Sequence, residues 1–267
     1  MPIDTSSYYP EVNDPRNPDD SSSLNGVHDS LFGDTRKRVQ EREEKKEIRK
    51  QQPDVEPENV SPWIRIADQI SHILSWVLVP ILMPVYGILF IFRLSILDVI
   101  PAGMQTAVTF VIAGINFFAP MLLILLLKFL GVVQDVGLNG QKERAVPYII
   151  TALCYGASAW FVASRGAPVW VAMFFCGGVV ASLVNLAINF KWKISAHAAA
   201  IAGVVAMLIR LEREAATEPQ LFVWLLITIG LAGLLGSARV WLGRHTVWQV
   251  LAGFAVGFCC VFFLMGV

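Results

Sequence analysis

Three short polar segments interrupt an otherwise apolar sequence, and they hold the residue types that handle phosphate esters. The segments are residues 135–147, 191–197 and 238–249. Two of the four histidines of the chain, His197 and His245, lie in them, each near lysine or arginine. Lysine and arginine neutralise phosphoryl oxygens, a neutral imidazole can attack phosphorus, and a protonated one can donate to the departing oxygen. The combination predicts a site for a phosphate ester.

The spacing in the last two segments resembles signature motifs of the type 2 phosphatidic acid phosphatase superfamily of membrane lipid phosphatases. The third motif of that family is Ser-Arg, five residues, His, three residues, Asp. Here Arg239, His245 and Gln249 stand at those intervals, with Gln249 in place of the aspartate and Ala238 in place of the serine. The second motif, Pro-Ser-Gly-His, is matched by residues 194–197, which keep the serine and the histidine.

The first motif of the family, Lys, six residues, Arg-Pro, is matched loosely. Lys142 and Arg144 precede Pro147 at a different spacing. This stretch is similar to the Arg-Glu-Arg-x-x-Pro form of a divergent bacterial branch, which also tends to have Lys-Ile-Ser-x-His and His-Thr-x-x-Gln-Val. The resemblance covers roughly residues 105–265 and does not extend to the N-terminal tail.

The resemblance implies a role for each matched residue. His245 would be the nucleophile that forms a phosphohistidine, and His197 would protonate the leaving oxygen. Gln249 would accept the imidazole N–H of His245 and fix its tautomer. The phosphoryl group would be bound by Arg239, Arg144, Lys142, Ser195 and Lys193. Because the family pattern is metal-independent, and two histidines without nearby carboxylates make a poor cation site, we expect neither metal nor cofactor.

Gln249 leaves more than one hypothesis open, because an amide cannot supply the negative charge of the aspartate. In a serine-protease triad the same exchange lowers turnover about 10⁴-fold. One hypothesis is a phosphatase that hydrolyses a lipid phosphate monoester or pyrophosphate, such as a phosphatidate or a polyprenyl phosphate. The alternative is a protein of the same fold that binds a phospholipid head group, or scaffolds a membrane complex, without turnover. A transporter is least favoured, because no internal repeat is visible.

Membrane helices must position these segments. Hydrophobic residues make up 55% of the chain, the mean hydropathy is +0.57, and 16% of residues are charged, against roughly 25% in a soluble domain. Stretches of the length that crosses a bilayer recur along the chain. The sequence therefore predicts an all-α, polytopic transmembrane bundle of six to seven spans. The predicted spans are 66–92, 105–131, 147–164, 168–190, 195–211, 221–243 and 247–267.

Two of these spans have special features. Pro80 and Pro84 are expected to kink the first span, which membrane helices tolerate when neighbours satisfy the freed carbonyls. The fifth span is expected to be short, because only residues 198–209 lack strongly polar side chains. His72, near the start of the first span, is expected to be a snorkelling or interhelical group.

The chain divides into a polar tail, residues 1–61, and a transmembrane phosphatase-like domain, residues 62–267. The first 60 residues carry a net charge of −5 and the remainder +5. Low apolar content predicts disorder in the tail, and glutamates interrupt its basic run, so nucleic-acid binding is disfavoured. Seven spans place the tail and the three polar segments on one face. The positive-inside rule assigns that face to the cytoplasm of a multi-pass plasma or inner-membrane protein.

Overall fold

Apolar helices make up most of the part of the chain that the structure describes. The computed structural model describes residues 61–129, 145–212 and 219–266, so residues 1–60 of the predicted tail lie outside it. The α-helices in these ranges are α1 Pro62–Val77, α2 Met83–Leu94, α3 Ala102–Ala113, α4 Ala119–Phe129, α5 Ala145–Ser164, α6 Val169–Asn189, α7 Ala196–Leu211, α8 Pro219–Trp241 and α9 Val247–Leu264. Short 3₁₀ turns flank α2, a π-helical turn joins α3 to α4, and no strand occurs in the described ranges.

The predicted transmembrane bundle is confirmed. Six helical segments of the described chain are long and apolar enough to cross a membrane. The first, Pro62–Leu94, combines α1 and α2, and the second, Ala102–Leu123, combines α3 with part of α4. The helix at the predicted fifth span, α7, is apolar but only 16 residues long, as the polar residues before it led us to expect.

The first spanning segment breaks at its prolines. Helix α1 ends at Val77, Val79 is extended with ψ 140°, and Pro80 opens a 3₁₀ turn that leads into α2. A proline disfavours the helical conformation of the residue before it and cannot donate to the preceding turn. The break leaves carbonyl groups at the end of α1 without helical donors.

Helix α7 lies at the centre of the bundle. Eleven of its sixteen residues are buried, and they are mostly small or β-branched: Ala198, Ala199, Ile201, Ala202, Gly203, Val204, Val205, Ala206, Met207, Leu208 and Leu211. The large apolar side chains of the outer helices, such as Phe110, Leu153 and Phe222, are exposed. Apolar residues on the outside and small ones between helices are what lipid as a solvent favours.

Two glycines of α9 let it cross α7 at backbone contact. A methyl group at Gly257 would overlap the carbonyl of Ala199, and one at Gly253 would contact the carbonyl of Ser195. At the other end of the pair, Arg210 donates from Nε to the carbonyl of Phe262 at 2.7 Å, with its guanidinium 3.9 Å from the ring centroid. The two helices are therefore held in register along their length.

We predict that Gly257→Ala destabilises the bundle, because the added methyl group forces α7 and α9 apart. Overpacking of this kind typically costs about 1–3 kcal/mol. Thermal unfolding of the detergent-solubilised protein measures the effect. Gly230→Ala on α8 is the matched control, since nothing lies within 4 Å of a methyl group there. An unchanged melting temperature for Gly257→Ala would contradict the close crossing.

Candidate active site

The turn between α8 and α9 folds His245 back against Arg239. Gly243 has a φ of 61°, a left-handed conformation that glycine adopts without steric cost. The backbone N–H groups of Arg244 and His245 both donate to the carbonyl of Arg239, at 3.1 and 3.2 Å. The five-residue spacing between Arg239 and His245 thus corresponds to one compact turn that closes the end of α8.

Gln249 fixes the orientation of His245 through a capping box at the start of α9. Its Oε1 accepts the backbone N–H of Thr246 at 3.2 Å, and its own backbone N–H points to Oγ1 of Thr246 at 3.4 Å. The same Oε1 lies 3.2 Å from Nδ1 of His245. Because Oε1 faces backbone N–H in the cap, it can only accept from the imidazole. In the neutral form of His245, Nδ1 therefore carries the proton and Nε2 has the lone pair.

Helix α7 begins beside this turn. Its N-cap residue, Ser195, is fully buried; its Oγ accepts from the N–H of Ala198 at 3.3 Å, and its backbone N–H donates to the carbonyl of Gln249 at 3.2 Å. That last bond joins the first turns of α7 and α9 directly. Ser195 does not line the cavity described below, so its predicted contact with phosphate stays a prediction, and its observed role is capping.

His197, in the first turn of α7, is held by α1. Its Nε2 lies 3.2 Å from the carbonyl of Ser75, so an Nε2–H donates to one of the carbonyls that the break at Pro80 leaves without a helical donor. Arg239 and His245 lie close enough to His197 for their charges to act on it. The structure therefore brings His197, Arg239 and His245 together.

Lys193 ties the segment before α7 to the turn after α8. Its ammonium group donates to the carbonyl of Arg244. Two other predicted phosphate ligands, Lys142 and Arg144, lie outside the described residues. The helix that follows them, α5, contributes Pro147 and Tyr148 to the same cavity.

A cavity of about 740 Å³ opens at these residues. Its polar end is lined by Lys193, His197, Arg239, Arg244 and His245. Its apolar end lies deeper in the bundle and is lined by Phe174, Phe175, Gly203, Val204 and Val261. Among the described residues that line it there is no aspartate or glutamate.

Arg239 differs from the other cations of this lining in having a buried nitrogen without a partner in the described chain. Its Nε is buried and has no hydrogen-bond partner among the described residues. A buried cationic group without an anion is costly, so the arrangement is suited to an anionic ligand that enters the cavity. Within the described residues, no group of three or more His, Cys, Asp or Glu side chains is arranged to hold a metal ion.

Helix α1 also contributes to the cavity, which the sequence did not lead us to expect. His72, Ser75 and Trp76 line it. The available signal was their spacing of three and four residues, which places all three on one face of a helix. A single face of α1 therefore forms part of the cavity wall.

We predict that Thr246→Ala and Gln249→Ala separate the two roles of Gln249. Both changes remove part of the cap, worth about 1 kcal/mol. Only Gln249→Ala also removes the acceptor that fixes the imidazole, so kcat should fall about 10²-fold or more for Gln249→Ala and less than about tenfold for Thr246→Ala. Steady-state release of phosphate from a lipid phosphate measures both. Equal losses for the two variants would show that Gln249 acts through the cap alone.

Comparison with known proteins agrees with this geometry. Residues 148–267 match the family model described as the PAP2 superfamily. That range contains His197, Arg239, His245 and Gln249 and begins after α1 to α4. Searches of curated proteins and of solved structures found no match. The family match supports membership of the PAP2 superfamily for residues 148–267, which are 120 of the 267 residues of the chain.

Proposed function

We propose that the protein hydrolyses the phosphate monoester or pyrophosphate of a membrane lipid, with a phosphohistidine intermediate on His245. The observation that supports this most strongly is the cap of α9, which directs the Nδ1–H of His245 to Gln249 and leaves Nε2 as the nucleophile. The imidazole lies in a cavity whose described lining is cationic at one end and apolar at the other. A lipid phosphate has the complementary distribution of charge and apolar surface.

The first step of the proposed reaction is phosphoryl transfer to the enzyme. Nε2 of His245 attacks phosphorus, and the bond from phosphorus to the lipid oxygen breaks. His197, protonated on both ring nitrogens when the anionic substrate is bound, gives its Nδ1 proton to that oxygen while its Nε2–H stays on the carbonyl of Ser75. Arg239 neutralises the charge that grows on the phosphoryl oxygens. Lys193 contributes a second positive charge, and Ser195, Lys142 and Arg144 are further proposed ligands. In the second step, water attacks the phosphorus and releases phosphate from His245.

The substrates that fit the cavity are membrane lipids with a terminal phosphate, such as a phosphatidate or a polyprenyl phosphate. The lipid head would reach the cationic end from the membrane boundary, and an acyl or prenyl chain would extend along the apolar lining. Trp192, Trp241 and Trp248 are exposed beside the site. Tryptophan at this level is typical of a membrane interface, where a lipid head group enters.

We expect His245→Ala to lower phosphate release by about 10³-fold or more, because no other group at this position can attack phosphorus. The assay uses purified full-length protein with dioleoyl phosphatidate and with undecaprenyl phosphate in mixed micelles. Arg165→Ala is the control, since this arginine lies in the α5–α6 connection. Full activity of His245→Ala on a lipid that the wild type hydrolyses would refute the mechanism.

The second candidate function is binding of a lipid phosphate without turnover, and the neutral side chain of Gln249 favours it. A neutral amide can orient His245 but does not stabilise the imidazolium-like charge of the transition state. In this case orthovanadate binding would depend on Arg239 while no lipid phosphate is hydrolysed. Gln249→Asp distinguishes the two, because a restored carboxylate should raise turnover if charge limits the reaction. A loss would show that the amide has its own role.

We also propose that the site faces the cytoplasm, with the tail on the same side. The support is the count of lysine and arginine in the loops and the basic run of residues 36–50. Arg244→Cys in a background without the four native cysteines should react with a membrane-impermeant maleimide only after the membrane is opened. Labelling of intact cells would place the site on the outer face.

A further inference from the structure

A row of polar side chains crosses the part of the cavity wall that α5 and α6 share. A methyl group at Gly178 of α6 would contact the ring of Tyr155 of α5, so these two positions lie at the same level. The two helices run antiparallel, because only a short connection joins them. Residues at equal separations from this level on the two helices therefore meet. The polar residues that line the cavity one and two turns away are Thr151 with Ser182, and Tyr148 with Asn185.

The order of residues along α6 places this polar row between the two ends of the cavity. Phe175 lies at the apolar end, Ser182 and Asn185 follow on the same helix, and Lys193, just after the helix, lies at the polar end. Asn185 is four residues before the last residue of α6, which is about one turn or ~6 Å. A lipid whose phosphate occupies the polar end would bring the first atoms beyond that phosphate to this row.

The hydrogen bonding of Asn185 is incomplete. Its side chain lines the cavity, the residue is only 4% exposed, and its Oδ1 is buried with no hydrogen-bond partner among the described residues. Buried polar atoms are nearly always hydrogen-bonded, because leaving one unpaired costs free energy. An unpaired amide in the wall of a cavity therefore points to a ligand that supplies the missing bond.

The missing bond requires a donor on the ligand. An amide oxygen can only accept, and rotation about the Cβ–Cγ bond of Asn185 can turn it toward the cavity. A prenyl chain has no polar atom beyond its phosphate, and the ester groups of a diacyl lipid are acceptors. A hydroxyl group can donate to Oδ1 of Asn185 and also accept from a neighbouring hydroxyl such as that of Ser182.

We propose that Asn185 is a specificity-determining residue that binds a hydroxyl group of the lipid close to its phosphate. The substrate class is then a lipid phosphate with a free hydroxyl on the carbon next to the one that carries the phosphate, as in a monoacyl glycerol phosphate. A lipid without that hydroxyl excludes water from the cavity and leaves the amide oxygen without a bond. This inference rests on the proposed phosphatase function and defines its substrate more narrowly.

The test compares two lipids that differ in one hydroxyl group: 1-oleoylglycerol 3-phosphate and its 2-deoxy analogue. Purified full-length protein should hydrolyse the hydroxyl lipid with a kcat/KM about tenfold or more above that for the deoxy lipid. In Asn185→Leu, which removes the amide at similar volume, this ratio should fall to about one, because neither lipid then leaves a polar atom unpaired. The change should come from slower hydrolysis of the hydroxyl lipid.

Asn116→Leu is the matched control. The Oδ1 of Asn116 is likewise buried without a partner among the described residues, but its Nδ2 donates to Oγ of Ser158, and Asn116 is not among the described residues that line the cavity. This variant should keep the wild-type ratio. Melting temperatures exclude a merely structural role: Asn185→Leu should melt at or above the wild-type temperature, because its Oδ1 has no bond to lose, while Asn116→Leu should melt lower.

Equal kcat/KM values for the two lipids in the wild type would refute the subsite, as would an unchanged ratio in Asn185→Leu. If that variant does not fold, the wild-type ratio alone decides between a tenfold preference and none. Absence of phosphate release from both lipids, from dioleoyl phosphatidate and from undecaprenyl phosphate refutes the phosphatase function instead. The subsite is then decided by binding: the hydroxyl lipid should raise the melting temperature of the wild type more than the deoxy lipid, and equal rises overturn the proposal.

Discussion

The contact between the first turns of α7 and α9 is the constraint on which the site depends. Gly253 and Gly257 remove the side chains that would separate these helices, and the N–H of Ser195 then reaches the carbonyl of Gln249. In lipid, such close packing replaces the hydrophobic drive that holds helices together in water. One consequence is chemical. His197 lies in the first turn of α7 and His245 directly precedes the N-cap of α9, so this contact fixes the positions of two imidazoles that are far apart in sequence.

The positive charge of the cavity follows from the lysine and arginine side chains in its described lining and from the absence of carboxylates there. Arg239 and Lys193 contribute positive charge, and no carboxylate lines the cavity in the described ranges. The buried Nε of Arg239 has no partner there. Charges of one sign in a poorly hydrated space repel one another, and a phosphate that binds between them relieves that cost. In the proposed reaction, the same positive charges would stabilise the phosphoryl group in the transition state while Gln249 orients the imidazole of His245.

Periodicity and motif spacing predicted much of this structure. Long apolar stretches predicted the membrane spans, because the thickness of the bilayer sets the length of a spanning helix. Pro80 and Pro84 predicted a break in the first span, and the polar residues around Ser195 predicted that α7 is short. The structure then placed His197, Arg239 and His245 at one cavity. The sequence did not reveal that Gln249 belongs to a capping box, although Thr246 three residues earlier was the signal. It also did not reveal that α1 lines the cavity, because the contact of Ser75 with His197 uses a backbone carbonyl, which has no sequence signature.

The break between α1 and α2 exposes a backbone carbonyl that orients a side chain of the candidate site. Pro80 ends a helix, the end of that helix leaves a carbonyl without a donor, and His197 supplies the donor.

The central claim remains that His197, Arg239 and His245 surround a single anion. Cryo-electron microscopy of the protein with bound orthovanadate tests it most directly. We predict vanadium at Nε2 of His245, with Arg239 and His197 within hydrogen-bond distance of its oxygens, about 2.7–3.2 Å. Vanadate bound elsewhere, or in contact with only one of the three side chains, would contradict it.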